Sequence, residues 1–278
     1  MRAPTRRDVL KAAAAAAAGT VVGAGSYGYL RERHRLVTTQ ANLPIRGLSP
    51  ALAGLRIGLV SDLHHSLHVP ASLVRDAVDR LLDQRCDLIA IGGDLVTWRD
   101  RRFTGPVAEL LAALEAPLGV FAVLGNHDDE TAMPAALKAR GIEVLKDART
   151  RVSVRGEVLH LTGLRYWTRS FRQVPSLAAR PGDGSISILL AHDPRMLAPA
   201  SAAGYHAVLS GHTHGGQVVL PGVGALAARR FPVVAGAAAQ NGTSIFVTRG
   251  VGTVFAPVRL NCPPEVAVLT LTAAASAD

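Results

Sequence analysis

The segment LSGHTHGGQVVLP places two histidines, His212 and His214, one residue apart after an apolar run and among glycines. Other side chains of the same chemistry recur along the chain. Asp62 and His64 stand in VSDLH, Asp94 in IGGD, Asn126, His127 and Asp128 in GNHD, and His192 in LLAHD. Five of the ten histidines fall in these phrases. Imidazoles, carboxylates and one amide oxygen, with no thiolate, form a donor set for Mn²⁺, Fe or Zn²⁺. Mg²⁺ and Ca²⁺ prefer all-oxygen shells. These side chains are more ligands than one ion needs. A carboxylate can bridge two cations roughly 3.5–4 Å apart, so two divalent ions are expected.

These residues must be brought together by the elements that precede them. LRIGLVSD, DLIAIGGD, GVFAVLGNHD, SISILLAHD and YHAVLSGHTH are short apolar runs that end in polar residues, the pattern of buried strands. Sites in open α/β sheets form beyond the carboxyl ends of strands, where all these side chains lie. PASLVRDAVDRLLDQR puts Leu73, Val74, Ala77, Val78, Leu81 and Leu82 on one helical face. GPVAELLAALEA and TAMPAALKARG also read as helices, the latter closed by Gly141. RVSVRGEVLHLTGL alternates about Arg155-Gly156 as a hairpin, and Asp193-Pro194 is a helix start. GQVVLP, SIFVTRG, TVFAPVRL and EVAVLTLT read as further strands. The order βαβαβα followed by a mostly β half predicts layered sheets with helices outside.

Singly, a D-x-H is usually a surface pair and a G-D usually a turn. In order, DLH (62–64), GD (93–94), GNHD (125–128), H (192) and GHTH (211–214) resemble the motif series of the calcineurin-like metallophosphoesterases over residues 55–272. LSPALAGLRIGLVSDLH, SGHTHGGQ, VTRGVGT and RLNCPPEVAVLTL are similar to an exported phosphodiesterase branch of that family. The resemblance implies a four-layer αββα sandwich with metals at the sheet edges. It assigns Asp62, His64, Asp94 and His214 to one ion. Asp94 would bridge, and Asn126, His192 and His212 would complete the second site. It further implies hydrolysis of a phosphoester by a hydroxide held between the ions, with His127 protonating the leaving oxygen and Asp128 orienting or charge-stabilising His127. The substrates it suggests include membrane lipids and lipid-linked nucleotide sugars. The competing class is a binding module that holds a phosphate ligand through its metals without turnover. Two positions depart from the family pattern. GDLVTW has Thr97 where an acidic residue is common, and GLRYW carries Arg165, Tyr166 and Trp167 at the hairpin end.

Other residues have plainer readings. His65 and His68 are expected as exposed loop residues, His160 as solvent-facing and His206 as structural. Cys86 and Cys262 are expected as buried free thiols, too few for a disulfide framework. Arg165, Arg249 and Trp167 are candidates for a phosphate or headgroup pocket, because guanidinium groups bind phosphate bidentately.

The chain has 278 residues, 49% apolar and 18% charged, which excludes disordered and fibrous classes. Its net charge of +9 is uneven. Arg2, Arg6, Arg7, Lys11, Arg31, Arg33 and Arg35 stand against Asp8 and Glu32, so +5 lies in residues 1–35. The remaining +4 includes no basic stripe with interleaved aromatics, so no nucleic-acid partner is expected. TRRDVLK, followed by the apolar run Ala12–Leu30, resembles a twin-arginine export signal with Arg6 and Arg7 as its pair. This predicts an extracytoplasmic protein that uses the twin-arginine machinery, with the run either cleaved or kept as a membrane anchor. Residues 1–30 are read as that signal or anchor, 31–54 as a basic segment and linker, and 55–278 as the metallophosphoesterase domain.

Overall fold

The computed structural model describes residues 4–275. Arg2, counted in the N-terminal charge, lies outside them. The chain runs α1 (Arg6–Leu30), β1 (Val37–Ile45), β2 (Arg56–Val60), α2 (Ala71–Asp83), β3 (Leu88–Ile91), α3 (Thr104–Leu111), β4 (Val120–Ala122), α4 (Ala132–Lys138), β5 (Glu143–Val144), β6 (Ala148–Val154), β7 (Glu157–Leu164), β8 (Ile186–Ala191), α5 (Leu197–Ala202), β9 (Ala207–Ser210), β10 (Gly236–Gln240), β11 (Thr243–Val247) and β12 (Glu265–Ala273).

Two mixed six-stranded sheets form, ordered β1-β12-β2-β3-β4-β5 and β10-β11-β9-β8-β7-β6. β2 to β5 run parallel, as do β7, β8, β9 and β11. All candidate strand ends therefore point the same way within each sheet. Ile57, Leu59, Leu88 and Ala90 of the first sheet meet Leu159, Leu161, Ile188 and Leu209 of the second in a fully apolar layer. On the outer face of the first sheet, Val60, Ile89 and Ile91 pack against the Leu73, Val74, Ala77, Val78 and Leu81 stripe of α2 and against α3 and α4. Outside the second sheet, Leu189, Val208 and Val247 pack against Leu197 and Ala200 of α5. The layers run helix, sheet, sheet, helix: a four-layer αββα sandwich.

The hairpin forms as read, with Arg155 (φ 49°) and Gly156 (φ 87°) in its turn. Two expected strands do not form. GQVVLP and TVFAPVRL join no ladder and meet only at the isolated bridge Val218–Leu260, with a local bridge Leu220–Gly224. Pro221 and Pro257 lack the N–H a ladder needs, and both segments instead wall a cleft. Conversely, residues 37–45, inside the segment read as a linker, form β1 and pair in parallel with β12 at the sheet edge. Pro44 is tolerated there because an edge strand leaves one row of N–H groups unpaired. α1 is capped at Thr5, whose side chain accepts from the Asp8 amide while the Asp8 carboxylate accepts from the Thr5 amide.

Candidate metal centre

The carboxyl ends of β2, β3 and β4 deliver Asp62 and His64, Asp94, and Asn126 with His127. Those of β8 and β9 deliver His192, and His212 with His214. Asp62, His64, Asp94, His212 and His214 all have positive φ, between 48° and 71°. Such backbone in non-glycine residues is costly and concentrates at functional sites. Close approach also demands glycine. A Cβ on Gly125 would overlap the Asp94 carboxylate, and one on Gly211 would overlap Ser61 and Asp62.

The donors converge. Asp62, His64 and His214 form one group, His64, Asp94 and His127 a second, and Asp94, His192 and His212 a third; within each, ligand atoms lie inside 4.8 Å of one another. His64 Nε2 is 3.1 Å from His214 Nε2 and 3.6 Å from Asp94 Oδ2. His192 Nε2 is 3.2 Å from Asp94 Oδ2 and 3.1 Å from His212 Nδ1. Asn126 opens on the same cleft, and its Oδ1 is a buried acceptor without a partner among the described residues; His214 Nδ1 is a buried ring nitrogen likewise without one. Ring nitrogens set face to face and an orphaned amide oxygen are what a cation-binding site of this donor chemistry presents. The residues therefore fit divalent metals.

Surrounding groups fix the orientation of these side chains. His192 Nδ1 lies 2.7 Å from the Gly92 carbonyl and donates to it, which turns Nε2 inward. The His212 amide donates to the Asp62 carboxylate at 3.0 Å, and the Ser61 hydroxyl donates to it at 2.7 Å. The Trp98 amide donates to His127 Nδ1 at 3.0 Å, so in the neutral ring the proton sits on Nε2. The Thr97 hydroxyl lies 3.3 Å from His64 Nδ1.

Burial dominates the electrostatics. It pushes His64 down to about 3 and, with the His192 charge, His212 down to about 4. It also lowers His127, and His214 well below the usual range. For His192, burial is outweighed by the Asp94 and Asp62 carboxylates, and the group is pushed up to about 10. For Asp94, burial is likewise outweighed, by His192, His64 and His127, and the carboxyl lies well below the usual range. Neutral imidazoles and an ionised carboxylate are the forms that ligate metal, so His64, His212, His214 and Asp94 already hold them, while His192 must shed the proton that Asp94 and Asp62 favour.

Several expectations need correction. Asp128 does not reach the His127 ring. Its carboxylate accepts from the amides of Asp94, Gly125 and Leu95 at 2.8–2.9 Å, and from Val96 at 3.4 Å, and so shapes the loops that carry Asp94 and Asn126. His65 is buried, its Nδ1 on the Val69 carbonyl. His160 is buried too, beside Asp183, because the segment after β7 folds over the strand's outer face. Arg165 pairs with Asp147 and Glu130, and Arg249 with Glu265, so neither is free for phosphate. Trp167 packs against the α2–α4 core with Arg99 over its ring. His68 is exposed, His206 accepts the Ser187 amide, and both cysteines are buried and free, as expected.

Arg259 escapes the sequence reading, and Tyr166 stands in it only as a departure from the family pattern, with no place at the centre. Arg259 is fully buried and donates to the carbonyls of Arg249, Gly250, Gly252 and Cys262, pinning the loop beside Asp62 and His64. Tyr166 lays its ring 5.1 Å from His212 and 5.8 Å from His192. A cleft of about 490 Å³ opens from Asp94, Asn126 and His127, walled by Tyr166, Leu220, Leu226, Phe231 and Phe255.

Residues 55–216 match the calcineurin-like phosphoesterase family, and the chain belongs to it. It is a metal-dependent phosphoester hydrolase by family and site. It is 31% identical to phosphodiesterase YaeI of Escherichia coli K12 over 96% of this chain and 99% of that protein. It is 30% identical to the uncharacterized metallophosphoesterase YkuE of Bacillus subtilis 168, over 98% and 99%. A transmembrane protein with metallophosphoesterase domain from Danio rerio is 29% identical over 88% of this chain and 59% of its own length. Among solved structures it is similar to an archaeal phosphodiesterase, at 17% identity and TM-score 0.41 over 72% of this chain and 87% of that one.

Proposed function

We propose that this chain is an exported phosphodiesterase that uses two divalent metals, Mn, Fe or Zn, outside the cytoplasmic membrane. The observation that carries this reading is the position of Asp94 between two donor groups fed by five strand ends. Asp62, His64 and His214 would hold one ion with Asp94, and Asn126, His192 and His212 would hold the other. Cations held there would supply positive charge to the phosphoryl oxygens and make a nearby water more acidic. His127, its Nδ1 taken by the Trp98 amide, offers the Nε2 proton to the leaving oxygen. Asp128 acts through the backbone, holding the Asp94 and Asn126 loops in register. Tyr166 walls the centre next to His212. The substrate is a phosphoester; lipids and lipid-linked nucleotide sugars suit the setting.

Residues 1–30 serve as the export signal or anchor. α1 is long and apolar enough to cross a membrane by length and composition, and none of its apolar window is buried. The domain follows, and it takes in β1 from the segment 31–54 as a strand of its first sheet, with Leu43 and Ile45 in the core. The direct test is Mn²⁺-dependent release of p-nitrophenolate from bis-p-nitrophenyl phosphate by the purified chain. Release that a chelator abolishes and Mn²⁺ restores is expected. Tight metal binding with no turnover would instead favour a phosphate-binding role.

A further inference from the structure

Outside α1, the large apolar side chains exposed among the described residues are Leu67, Trp98, Leu220, Val223, Leu226 and Phe255. They are not scattered. Leu220, Leu226 and Phe255 wall the catalytic cleft, Leu67, Trp98 and Phe255 wall the hollow next to it, and Val223 lies in the turn closed by the Leu220–Gly224 bridge. Trp98 joins the two, its ring 5.4 Å from Phe255 and 4.5 Å from His127. Exposure reaches 85% at Phe255, 80% at Leu67 and 63% at Trp98. Single exposed apolar residues are ordinary, but a contiguous set around one opening marks a surface that meets an apolar phase.

The place where α1 leaves the domain identifies that phase. The last turn of α1 is fitted to the segment that follows Phe255: a Cβ on Gly28 would overlap the Arg259 carbonyl and Val258. Cys262 N–H donates to Glu32, and Arg33 Nη1 donates to the carbonyl of His68, next to Leu67. The helix thus emerges between the two loops that carry Leu67 and Phe255. Tyr27 and Tyr29 are exposed in its last turns, where aromatic rings favour the membrane–water boundary. Arg31 and Arg35 follow, exposed, at headgroup level. Arg99, Arg229 and Arg230 are also exposed beside the rim and have no ion-pair partner among the described residues. An anchor whose boundary lies at Tyr27–Tyr29 brings the rim to the same boundary.

We infer that the rim of the catalytic cleft, led by Leu67, Trp98 and Phe255, dips into the leaflet in which α1 is anchored, so that the site takes its phosphoester from an acyl-chain lipid of that bilayer. The inference rests on the hydrolase reading above and on the anchor alternative for residues 1–30, and it narrows the substrate to a phosphoester whose acyl chains stay in the bilayer. The phosphate enters at Asp94 and Asn126 while the acyl portion lies along Leu220, Leu226 and Phe231.

The test uses the full chain reconstituted through α1 into vesicles of equal parts phosphatidylglycerol and phosphatidylethanolamine, brominated near the headgroup end of the acyl chains. A Trp167→Phe background leaves Trp98 as the sole tryptophan. Strong quenching of Trp98 fluorescence is expected, and Leu67→Glu with Val223→Glu, both on exposed positions, should relieve it. Unquenched Trp98 in the reconstituted protein overturns the inference. A second arm compares p-nitrophenyl hexadecyl phosphate in the vesicles with p-nitrophenyl ethyl phosphate in solution. The double variant should lose at least about tenfold on the vesicle ester, the scale of burying apolar side chains, and keep its rate on the soluble one. Equal rates for variant and wild type on both esters also overturn it. Quenching is read without turnover. A wild-type chain that hydrolyses neither ester refutes the hydrolase reading, while its Trp98 quenching still reports separately on membrane docking.

Discussion

Asp94 Oδ2 and His192 Nε2 meet at 3.2 Å in a pair almost closed to solvent, and the same oxygen is 3.6 Å from His64 Nε2. Asp94 is thereby common to two donor groups that otherwise come from different sheets. Removing its carboxylate should affect both ions together. Asp94→Ala is expected to lose metal as measured by elemental analysis. Its activity should fall by more than the roughly 10²–10³ lost with a single transition-state donor. An active Asp94→Ala protein that retains two equivalents of metal would disprove bridging.

Thr97 occupies the position where the family often has an acidic residue, and its contacts give it a different duty. Its hydroxyl lies 3.2 Å from the His64 carbonyl and 3.3 Å from His64 Nδ1. With one proton donated to the carbonyl, the oxygen is left to accept Nδ1–H, which frees Nε2 to face Asp94 and His214. Thr97→Val should weaken metal binding by about 10–100-fold, the usual cost of losing a partner that orients a ligand. Thr97→Ser should restore it. Metal titrations that are the same for Thr97→Val and wild type would mean that packing alone orients His64.

The donors were legible because each follows a short apolar run, and β2, β3, β8 and β9 are buried at every position or nearly so. β1 was not, because an edge strand with alternating polar residues and Pro44 has the composition of a connector. The bonds of Asp128 to four backbone amides could not be read either, since adjacency to His127 in sequence says nothing about where a carboxylate points. His160 shows the limit of alternation. Its face of β7 would be solvated in a lone hairpin, but the residues around Asp183 cover it. Arg259 carries no sequence signal at all, because its role depends on carbonyls that only the folded loop gathers.

Export should depend on Arg6 and Arg7 as recognised side chains. Both are exposed in the first turn of α1, whose cap is made by Thr5 and Asp8 and does not involve them. Changing both to Lys preserves charge and helix and should strand the protein in the cytoplasm, because a receptor reads the signal. Fractionation that finds the double variant outside the cytoplasm at the normal rate would refute the twin-arginine reading.

His206 gives the fold a sensitivity to acid outside the metal centre. Burial, then the Arg180 charge, holds it below the usual histidine value, and its Nδ1 accepts the Ser187 amide. The unfolded chain therefore takes up a proton near pH 6.5 that the folded chain resists. This contribution to stability is complete above pH 6.5 and is lost as pH falls toward the lowered folded value. In the presence of a chelator, the urea midpoint of His206→Gln should fall less than that of wild type between pH 7 and pH 5. The other buried histidines contribute equally to both proteins. Parallel midpoint curves would remove His206 from the account.

His127 lies within reach of Asp94 and His64 and could be mistaken for a ligand, but its ring has only one free nitrogen. With Nδ1 accepting from the Trp98 amide, Nε2 either carries a proton or binds metal, and it cannot do both at once. The two roles differ in what the leaving group feels. An alkoxide leaves poorly without a proton, whereas p-nitrophenolate leaves well unaided. If Nε2 is the donor, His127→Gln should cost about 10²–10⁴ in kcat on alkyl phosphoesters, the range for a lost acid catalyst. It should cost far less on p-nitrophenyl esters, and metal content should stay normal. His212→Gln removes a proposed ligand and should depress both substrates alike, with loss of metal. Equal losses for His127→Gln on the two leaving-group classes, or depleted metal in that variant, would make His127 a ligand or a positioning residue and leave the leaving oxygen without its donor.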